Sequence, residues 1–274
     1  MYKIIFIDID GTLRNDLGEI SNRAKEIIKK LTNNGIIVVI CSGRPIRSTK
    51  EVSIMCNASK YIITSNGAYG YNYEEDKIIF KNPMNKNSCI KLYNLAKAYD
   101  TNFIMNTEKG RITLKKTNNE YDILLNEPIE NFVNKVDVMQ CLLQDSNFEK
   151  IKRLKPFIEK IENVGIKNQS KSLTNPNVKP REITYCDIAD EKTSKGFGIE
   201  KMCKSLNISL KDAISIGDDY NDVSMFKKTH LSVAMGNAND EVKSNVKYVT
   251  LTNNEDGVAV FLEKLINNRE EFLC

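Results

Sequence analysis

The chain has no tryptophan and only one histidine, His230, among its 274 residues. A serine–histidine or cysteine–histidine hydrolase needs a histidine as the base beside its nucleophile, and a histidine-rich zinc site needs several. We interpret His230, which precedes an apolar run, as a structural or exposed residue. Any hydrolytic chemistry of this chain therefore has to come from other side chains.

The seven cysteines include no pair at the C-x-x-C spacing of a metal or redox site. Several lie within apolar runs, as at residues 39–41, which is typical of buried free thiols in a reducing compartment. No apolar run approaches the roughly 20 residues of a membrane-spanning helix. Asp8 and Asp10 interrupt the first apolar stretch, which argues against a signal peptide. We therefore predict a cytoplasmic protein without a membrane partner.

The chain also lacks any block of basic residues interleaved with aromatic ones. Its 40 Lys and Arg are spread beside 36 Asp and Glu, for a formal net charge of +4. This pattern favours a lysine-rich surface over nucleic-acid binding. We predict no obligate protein partner, and the composition leaves the oligomeric state open.

Short apolar runs alternate with amphipathic segments at both ends of the chain. The predicted strands of these ends are residues 3–7, 36–41, 61–64, 213–216, 231–235 and 246–249. Helices are expected between them, the first with Ser21 as its N-cap and the second opened by Pro45. This order predicts a parallel sheet with right-handed crossovers.

The pattern changes near Asn82. From there to about residue 188 we expect two amphipathic helices, a polar stretch at 167–180 and several strands, namely residues 101–106 and 111–115 as a hairpin, 136–143 and 183–188. Hairpins and separate helices suggest an α+β module. We therefore predict an α/β core formed by residues 1–82 and 189–274, with a cap domain inserted at 83–188.

Four groups of polar residues fall at the carboxyl ends of predicted core strands or at the start of a core helix. They are Asp8 to Thr12, Ser42-Gly43-Arg44, Lys195-Gly196 and Gly217 to Asp222. Ligands of open α/β sheets bind at this edge. Several carboxylates, a lysine and a hydroxyl suit a dianionic phosphate bound through a hard divalent cation. One carboxylate can act as a nucleophile and another as an acid and base.

In this order, the motifs resemble those of haloacid dehalogenase (HAD) superfamily phosphatases of the Cof type, subclass IIB. The residues that carry the resemblance are Asp8 to Leu13, Ile40 to Arg44, Ser65 to Ala68, Ser194 to Gly196, Ile216 to Asp222 and Val233 to Ala238. The resemblance covers nearly the whole chain. It implies a Rossmann-like parallel-sheet core with a large α+β cap inserted after the second motif. It also implies a Mg²⁺-dependent phosphatase that acts on a small phosphorylated metabolite through an aspartyl-phosphate intermediate.

The resemblance further implies a role for each motif residue. Asp8 would be the nucleophile. Asp10 would be the general acid and base. The metal would be bound by the backbone carbonyl of Asp10 and by the side chains of Asp8 and Asp218. The expected phosphate- or substrate-binding residues are Thr12, Ser42, Gly43, Arg44, Lys195 and Asn221. Asp219 and Asp222 would support these groups, Asp222 by orienting Lys195 or a metal-bound water. Arg44 would either contact the substrate or hold its loop.

Two alternatives remain open at this point. A phosphomutase of the same superfamily would return the phosphate to a second hydroxyl. Only about thirty residues separate the first two motifs, which excludes the cap placement of β-phosphoglucomutases but not that of phosphomannomutases. The other alternative is a non-catalytic phosphate-binding regulatory module that resembles a response-regulator receiver. Such modules are much shorter and carry no insertion of about a hundred residues.

Overall fold

The structure is a computed structural model that describes residues 2–173 and 182–267. Its strands are β1 Ile4–Ile7, β2 Ile37–Cys41, β3 Tyr61–Thr64, β4 Tyr69–Asn72, β5 Lys77–Lys81, β6 Asn102–Thr107, β7 Gly110–Thr113, β8 Asp122–Leu124, β9 Val138–Asp145, β10 Val164–Leu173, β11 Glu182–Asp190, β12 Ala213–Gly217, β13 Leu231–Ala234 and β14 Tyr248–Val249. Its α-helices are α1 Asn22–Asn33, α2 Ile46–Met55, α3 Lys86–Ala98, α4 Ile129–Lys135, α5 Phe148–Ile158, α6 Lys195–Ser205, α7 Val223–Phe226, α8 Asp240–Lys243 and α9 Gly257–Asn267. No helix in these described ranges is both long and apolar enough to cross a bilayer.

The described residues fall into two compact units. One is drawn from Met1–Arg44, Ser48–Phe80 and Ser194–Cys274, and the other from Pro45–Arg47 and Lys81–Thr193. The first unit is thus assembled from both ends of the chain.

An eight-stranded sheet in the order β14-β13-β12-β1-β2-β3-β4-β5 organises the first unit. Strand β1 lies inside this sheet and pairs in parallel with both β12 and β2. Its residues alternate between two hydrophobic clusters, with Ile5 and Ile7 in one and Ile4 and Phe6 in the other. A strand that is buried on both faces has to be apolar throughout, which explains the continuous run that the sequence shows.

Helices cover both faces of this sheet. Ile28 and Leu31 of α1 pack in one cluster with Phe261 of α9, and Ile199 of α6 packs in the other with Met225 of α7. The α/β fold with a parallel core sheet, predicted from the sequence, is confirmed.

The second unit contains a six-stranded sheet in the order β10-β11-β9-β6-β7-β8. Its pairs are antiparallel except for β7 and β8, which run parallel. Helices α3, α4 and α5 cover one face through a single cluster that includes Leu92, Phe103, Cys141 and Ile151. The predicted hairpin of this region is confirmed as β6 and β7.

The sequence analysis missed several short elements. It assigned no strand to β4, β5 or β8 and no helix to α4. Within the polar stretch at 167–180, residues up to Leu173 belong to β10, while 174–180 lie outside the described residues. Strand β10 forms through its long antiparallel register with β11, from Val164 opposite Asp190 to Leu173 opposite Glu182. Pairing with a neighbouring strand here outweighs the weak strand propensity of the polar residues.

Burial of α1 against the core sheet leads to a stability prediction. Ile28 is fully buried, whereas Ile54 of α2 is more than half exposed. We expect Ile28→Ala to lower the free energy of unfolding by about 2–5 kcal/mol, because it removes transfer free energy and leaves a cavity. Ile54→Ala is the control and should change it by less than about 0.5 kcal/mol. Urea unfolding followed by circular dichroism measures both, and equal effects would contradict this packing.

Candidate active site

The first and fourth motifs meet because their strands are neighbours. Asp8 follows β1 and Asp218 follows β12, and these strands pair in parallel with Ile7 opposite Ile216. The backbone N–H of Asp8 continues the pairing by donating to the carbonyl of Ile216 at 3.0 Å. Parallel neighbours end at the same edge of a sheet, so the two carboxylates share that edge although they are far apart in the chain.

Lys195 joins the carboxylates of two motifs. Its Nζ lies 2.5 Å from Oδ1 of Asp8 and 2.6 Å from Oδ1 of Asp222, and all three side chains are buried. Lys195 begins α6, whose N-cap Ser194 accepts a hydrogen bond from the N–H of Phe197 at 3.0 Å. The start of a helix therefore delivers the ammonium to the sheet edge.

A glycine permits this approach of α6. Gly67 has φ +98°, and a Cβ at this position would lie 2.0 Å from the carbonyl oxygen of Ser194. Residue 67 therefore has to lack a side chain if the helix is to start where it does.

Asp222 uses both carboxylate oxygens within the protein. Oδ1 accepts from Lys195, while Oδ2 accepts the backbone N–H groups of Asp218 and Asp219 at 2.9 and 3.0 Å. Asp222 thus orients the lysine and holds the loop that follows β12. The side chain of Asp219 caps the next turn by accepting from the N–H of Tyr220 at 2.8 Å.

Asp218 lies against the loop that follows β1. Its Oδ1 accepts the hydroxyl proton of Thr12 at 2.5 Å, so the structure directs this hydroxyl to a carboxylate. Gly11 has φ +76°, and a Cβ there would lie 2.2 Å from Oδ2 of Asp218. One oxygen each from Asp8, Asp218 and Asp222 lies within 4.8 Å of the others, so the three carboxylates form a potential cation site.

Asp8 and Asp218 hold their protons more tightly than an ordinary carboxylate does. Burial, together with the charges of Asp222 and Asp10, raises the pKa of Asp8 to about 7 despite the attraction of Lys195. Burial, followed by the charge of Asp8, raises the pKa of Asp218 to about 8. Burial by itself would lower the pKa of Lys195, but attraction by Asp222 and Asp8 outweighs it and raises this pKa. One ammonium does not balance the three carboxylates, so a further cation would be stabilised here.

Asp10 lies apart from this cluster of three carboxylates. Its side chain is 57% exposed and accepts two hydrogen bonds from Arg44, from Nε at 2.7 Å and from Nη2 at 2.5 Å. Such a bidentate pair fixes the carboxylate in one plane. The structure therefore presents one group of buried or half-buried acidic side chains and one exposed acid held by an arginine.

The second motif lies beside two asparagines. The hydroxyl oxygen of the buried Ser42 accepts the N–H of Arg44 at 3.2 Å. Asn66 donates its backbone N–H to the carbonyl of Ser42, and its Oδ1 accepts from Nδ2 of Asn221 at 3.1 Å. A Cβ at Gly43 would lie 2.9 Å from Nδ2 of Asn66. Oδ1 of Asn221 is buried and has no hydrogen-bond donor among the described residues.

One supporting residue received no role from the sequence. Asn237 donates from Nδ2 to the carbonyl of Gly11 at 2.8 Å and accepts the N–H of Asn253 at 3.0 Å. It thereby connects the loop after β1 to a loop near the end of the chain. The only signal in the sequence was its place in the motif after β13, which did not specify a contact.

A mostly parallel sheet that is covered on both faces, with a lysine and several carboxylates at its carboxyl edge, is the arrangement of an α/β enzyme. A family model for haloacid dehalogenase-like hydrolases matches residues 5–262. The chain therefore belongs to the haloacid dehalogenase-like hydrolase family. The family and the hydrolase class predicted from the sequence are confirmed.

Individual relatives agree with this assignment. The chain is 28% identical over 265 residues to 5-amino-6-(5-phospho-D-ribitylamino)uracil phosphatase YcsE of Bacillus subtilis. This alignment covers 94% of this chain and 93% of the relative. It is 29% identical to a putative phosphatase of Buchnera aphidicola subsp. Schizaphis graminum, in an alignment of 283 positions that covers 100% of this chain and 100% of the relative. The crystal structure of a haloacid dehalogenase-like hydrolase from Bacteroides thetaiotaomicron superposes with a TM-score of 0.80 at 25% identity, over 97% of this chain and 100% of that one.

The buried lysine leads to a prediction about stability. Lys195→Met would leave Asp8 and Asp222 without their counter-charge, so we expect the free energy of unfolding to fall by about 3–5 kcal/mol at neutral pH. Lys204 is exposed on the same helix, and Lys204→Met is the matched control with an expected change below about 0.5 kcal/mol. Urea denaturation measures both variants. A Lys195→Met protein as stable as the control would contradict a buried ion-pair network.

Proposed function

We propose that this protein is a phosphatase that hydrolyses monoesters of small phosphorylated metabolites, with Asp8 as its nucleophile. The observation that carries the proposal is the buried Lys195 ammonium in contact with Asp8 and Asp222, at the sheet edge that also presents Asp218. A transferring phosphoryl group needs positive charge and fixed geometry more than covalent help from the protein. Both relatives are named as phosphatases, which supports hydrolysis of a phosphate ester as the reaction class.

Asp8 is held in a way that suits nucleophilic attack. Lys195 binds its Oδ1, and its other oxygen accepts no hydrogen bond from the described residues. The free oxygen attacks phosphorus, the bond from phosphorus to the leaving oxygen breaks, and an aspartyl-phosphate forms. Lys195 offsets part of the repulsion between the carboxylate and the phosphate. Ser42 can donate its hydroxyl proton to a phosphate oxygen, because its own oxygen only accepts from the backbone.

Asp10 is the general acid and base of this proposal. It gives a proton to the leaving oxygen and later takes one from the water that hydrolyses the aspartyl-phosphate. Arg44 holds its carboxylate by two hydrogen bonds, and its exposure lets it exchange protons with solvent.

The donor set fits Mg²⁺. Both oxygens of Asp222 are already used, so Asp8 and Asp218 would hold the ion, with the backbone carbonyl of Asp10 as a further oxygen ligand. Mg²⁺ is bound by one or two carboxylates and keeps several waters, so few protein ligands suffice. When bound, it would neutralise charge between the phosphate and the carboxylates. Asp222 would act indirectly, by keeping Asp218 and Lys195 in place.

Substitution of the nucleophile tests the proposed reaction. We expect Asp8→Asn to lower kcat for p-nitrophenyl phosphate at least about 10³-fold, because an amide cannot form the intermediate. Asp240→Asn, at an exposed position at the start of α8, is the control and should leave kcat within about twofold. Release of inorganic phosphate is the measurement. Full activity of Asp8→Asn would contradict the proposal. Conversion of glucose 1-phosphate to glucose 6-phosphate without release of phosphate would indicate a mutase instead.

Metal binding should depend on pH. The folded pKa values of Asp8 and Asp218, about 7 and about 8, lie above their ordinary value of 3.8. As the pH rises from about 4 to about 8, these two carboxyl groups therefore lose their protons in the unfolded chain before they do so in the folded protein. The free energy of unfolding of the metal-free protein falls as a result. Lys195, with its raised pKa, stays charged throughout this window.

Bound Mg²⁺ favours the ionised carboxylates and should reverse this loss. We therefore expect Mg²⁺ to raise the Tm more at pH 8 than at pH 5.5. Asp218→Asn should abolish this increase, whereas Asp240→Asn should preserve it. Differential scanning calorimetry measures the Tm, and a Tm that responds equally to Mg²⁺ in both variants would contradict the proposed ligands.

A further inference from the structure

Arg14, two residues after Thr12, has a fixed backbone and an unengaged side chain. Its N–H donates to the carbonyl of Ile9 at 2.9 Å, and its carbonyl accepts from Nδ2 of Asn253 at 3.1 Å. Its Nε is buried and has no hydrogen-bond acceptor among the described residues. Within the same residues its guanidinium forms no ion pair. The side chain thus carries a charge that the surrounding protein does not neutralise by direct contact.

The described neighbours of Arg14 also leave its positive charge without a partner. Arg14 is opposite Asp10 in an isolated parallel β-bridge, which places the two backbones side by side. The carboxylate of Asp10 is already held by two hydrogen bonds from Arg44. Burial lowers the pKa of Arg14, and the positive charge of Arg44 lowers it further, against weaker attraction from Asp10, Cys56 and Glu51. Two guanidinium groups therefore lie beside one carboxylate that binds only one of them.

A buried donor without an acceptor destabilises the folded protein, and more so when it is charged. Arg14 as a whole is only half-buried, so part of its side chain reaches solvent. A guanidinium in this position matches a planar carboxylate or a phosphate, which it binds through two parallel N–H groups. An anionic ligand that enters from solvent would therefore neutralise a charge that the described residues leave without an ion pair.

We propose that Arg14, with the adjacent charge of Arg44, forms a second anion site that binds a carboxylate or a second phosphoryl group of the substrate. The inference rests on the proposed phosphatase function. Because the site adjoins Asp10, which protonates the leaving oxygen in that proposal, the second anionic group belongs to the leaving group. The substrate class is then a doubly anionic phosphate ester, such as a phosphorylated carboxylic acid or a sugar bisphosphate.

Two pairs of substrates test the site. The pairs differ in the distance between the phosphate that is hydrolysed and the second anionic group. They are 3-phosphoglycerate with glycerol 3-phosphate, and fructose 1,6-bisphosphate with fructose 6-phosphate. In at least one pair, we expect the wild type to prefer the doubly anionic member. Arg14→Gln should lower kcat/KM for that member by about 10- to 100-fold, mainly through KM, as expected for loss of a charged hydrogen bond. The change for its singly anionic partner should stay below about threefold.

Two controls separate recognition from structure. Arg14→Lys keeps the charge and should recover part of the preference. Arg23→Gln changes an exposed arginine that is paired with Glu263, and it should leave the preference unchanged. The Tm of Arg14→Gln should not fall, since the substitution removes an uncompensated charge.

Equal losses for both members of each pair, or no loss for either, would overturn the second anion site. A different result would contradict the proposed phosphatase function itself. In that case the wild type would release no phosphate from p-nitrophenyl phosphate or from any of the four probes. Activity on the singly anionic probes with no preference in either pair would retain the phosphatase and reject the role of Arg14.

Discussion

The buried ion pairs of Lys195 with Asp8 and Asp222 are the interaction on which the candidate site depends. Removing each charge from water costs several kcal/mol, which is repaid only when the partners meet at hydrogen-bond distance. The three residues belong to the start of α6, the end of β1 and the loop after β12. One charge network therefore holds three segments of the chain at the same edge of the sheet. Without it, the carboxylates would repel one another at the point where the strands end.

The acidic residues of the site differ in the contacts that their carboxylates make. Asp222 uses both oxygens to orient Lys195 and the following loop, while one oxygen of Asp218 accepts no hydrogen bond from the described residues. Burial, followed by the negative charges of Asp8 and Asp222, raises the pKa of Asp218 to about 8. Asp10, by contrast, is exposed and paired with an arginine. A buried cluster suited to a metal and an exposed acid suited to proton exchange thus occur within one loop region.

The elements that the sequence predicted well are those whose signal is local. Continuous apolar runs such as β1 occur only where a strand is covered on both faces, so they indicate a parallel sheet directly. Strands β5 and β8 are largely exposed at the edges of their sheets, and neither holds more than three consecutive apolar residues. Strand β10 is polar and forms through its register with β11. Edge elements of this kind form by pairing with a single neighbouring strand, and propensity alone does not reveal them.

The sequence by itself determined that Asp8, Ser42, Lys195 and Asp218 follow strands or open a helix, because turn residues and hydrophobic periodicity act over a few residues. Only the tertiary structure decided which side chains meet. It directed Thr12 to Asp218 and Arg44 to Asp10, and it left Arg14 without an acceptor among the described residues. These contacts depend on the packing of strands and loops separated by up to about two hundred residues, and no local pattern encodes such distances.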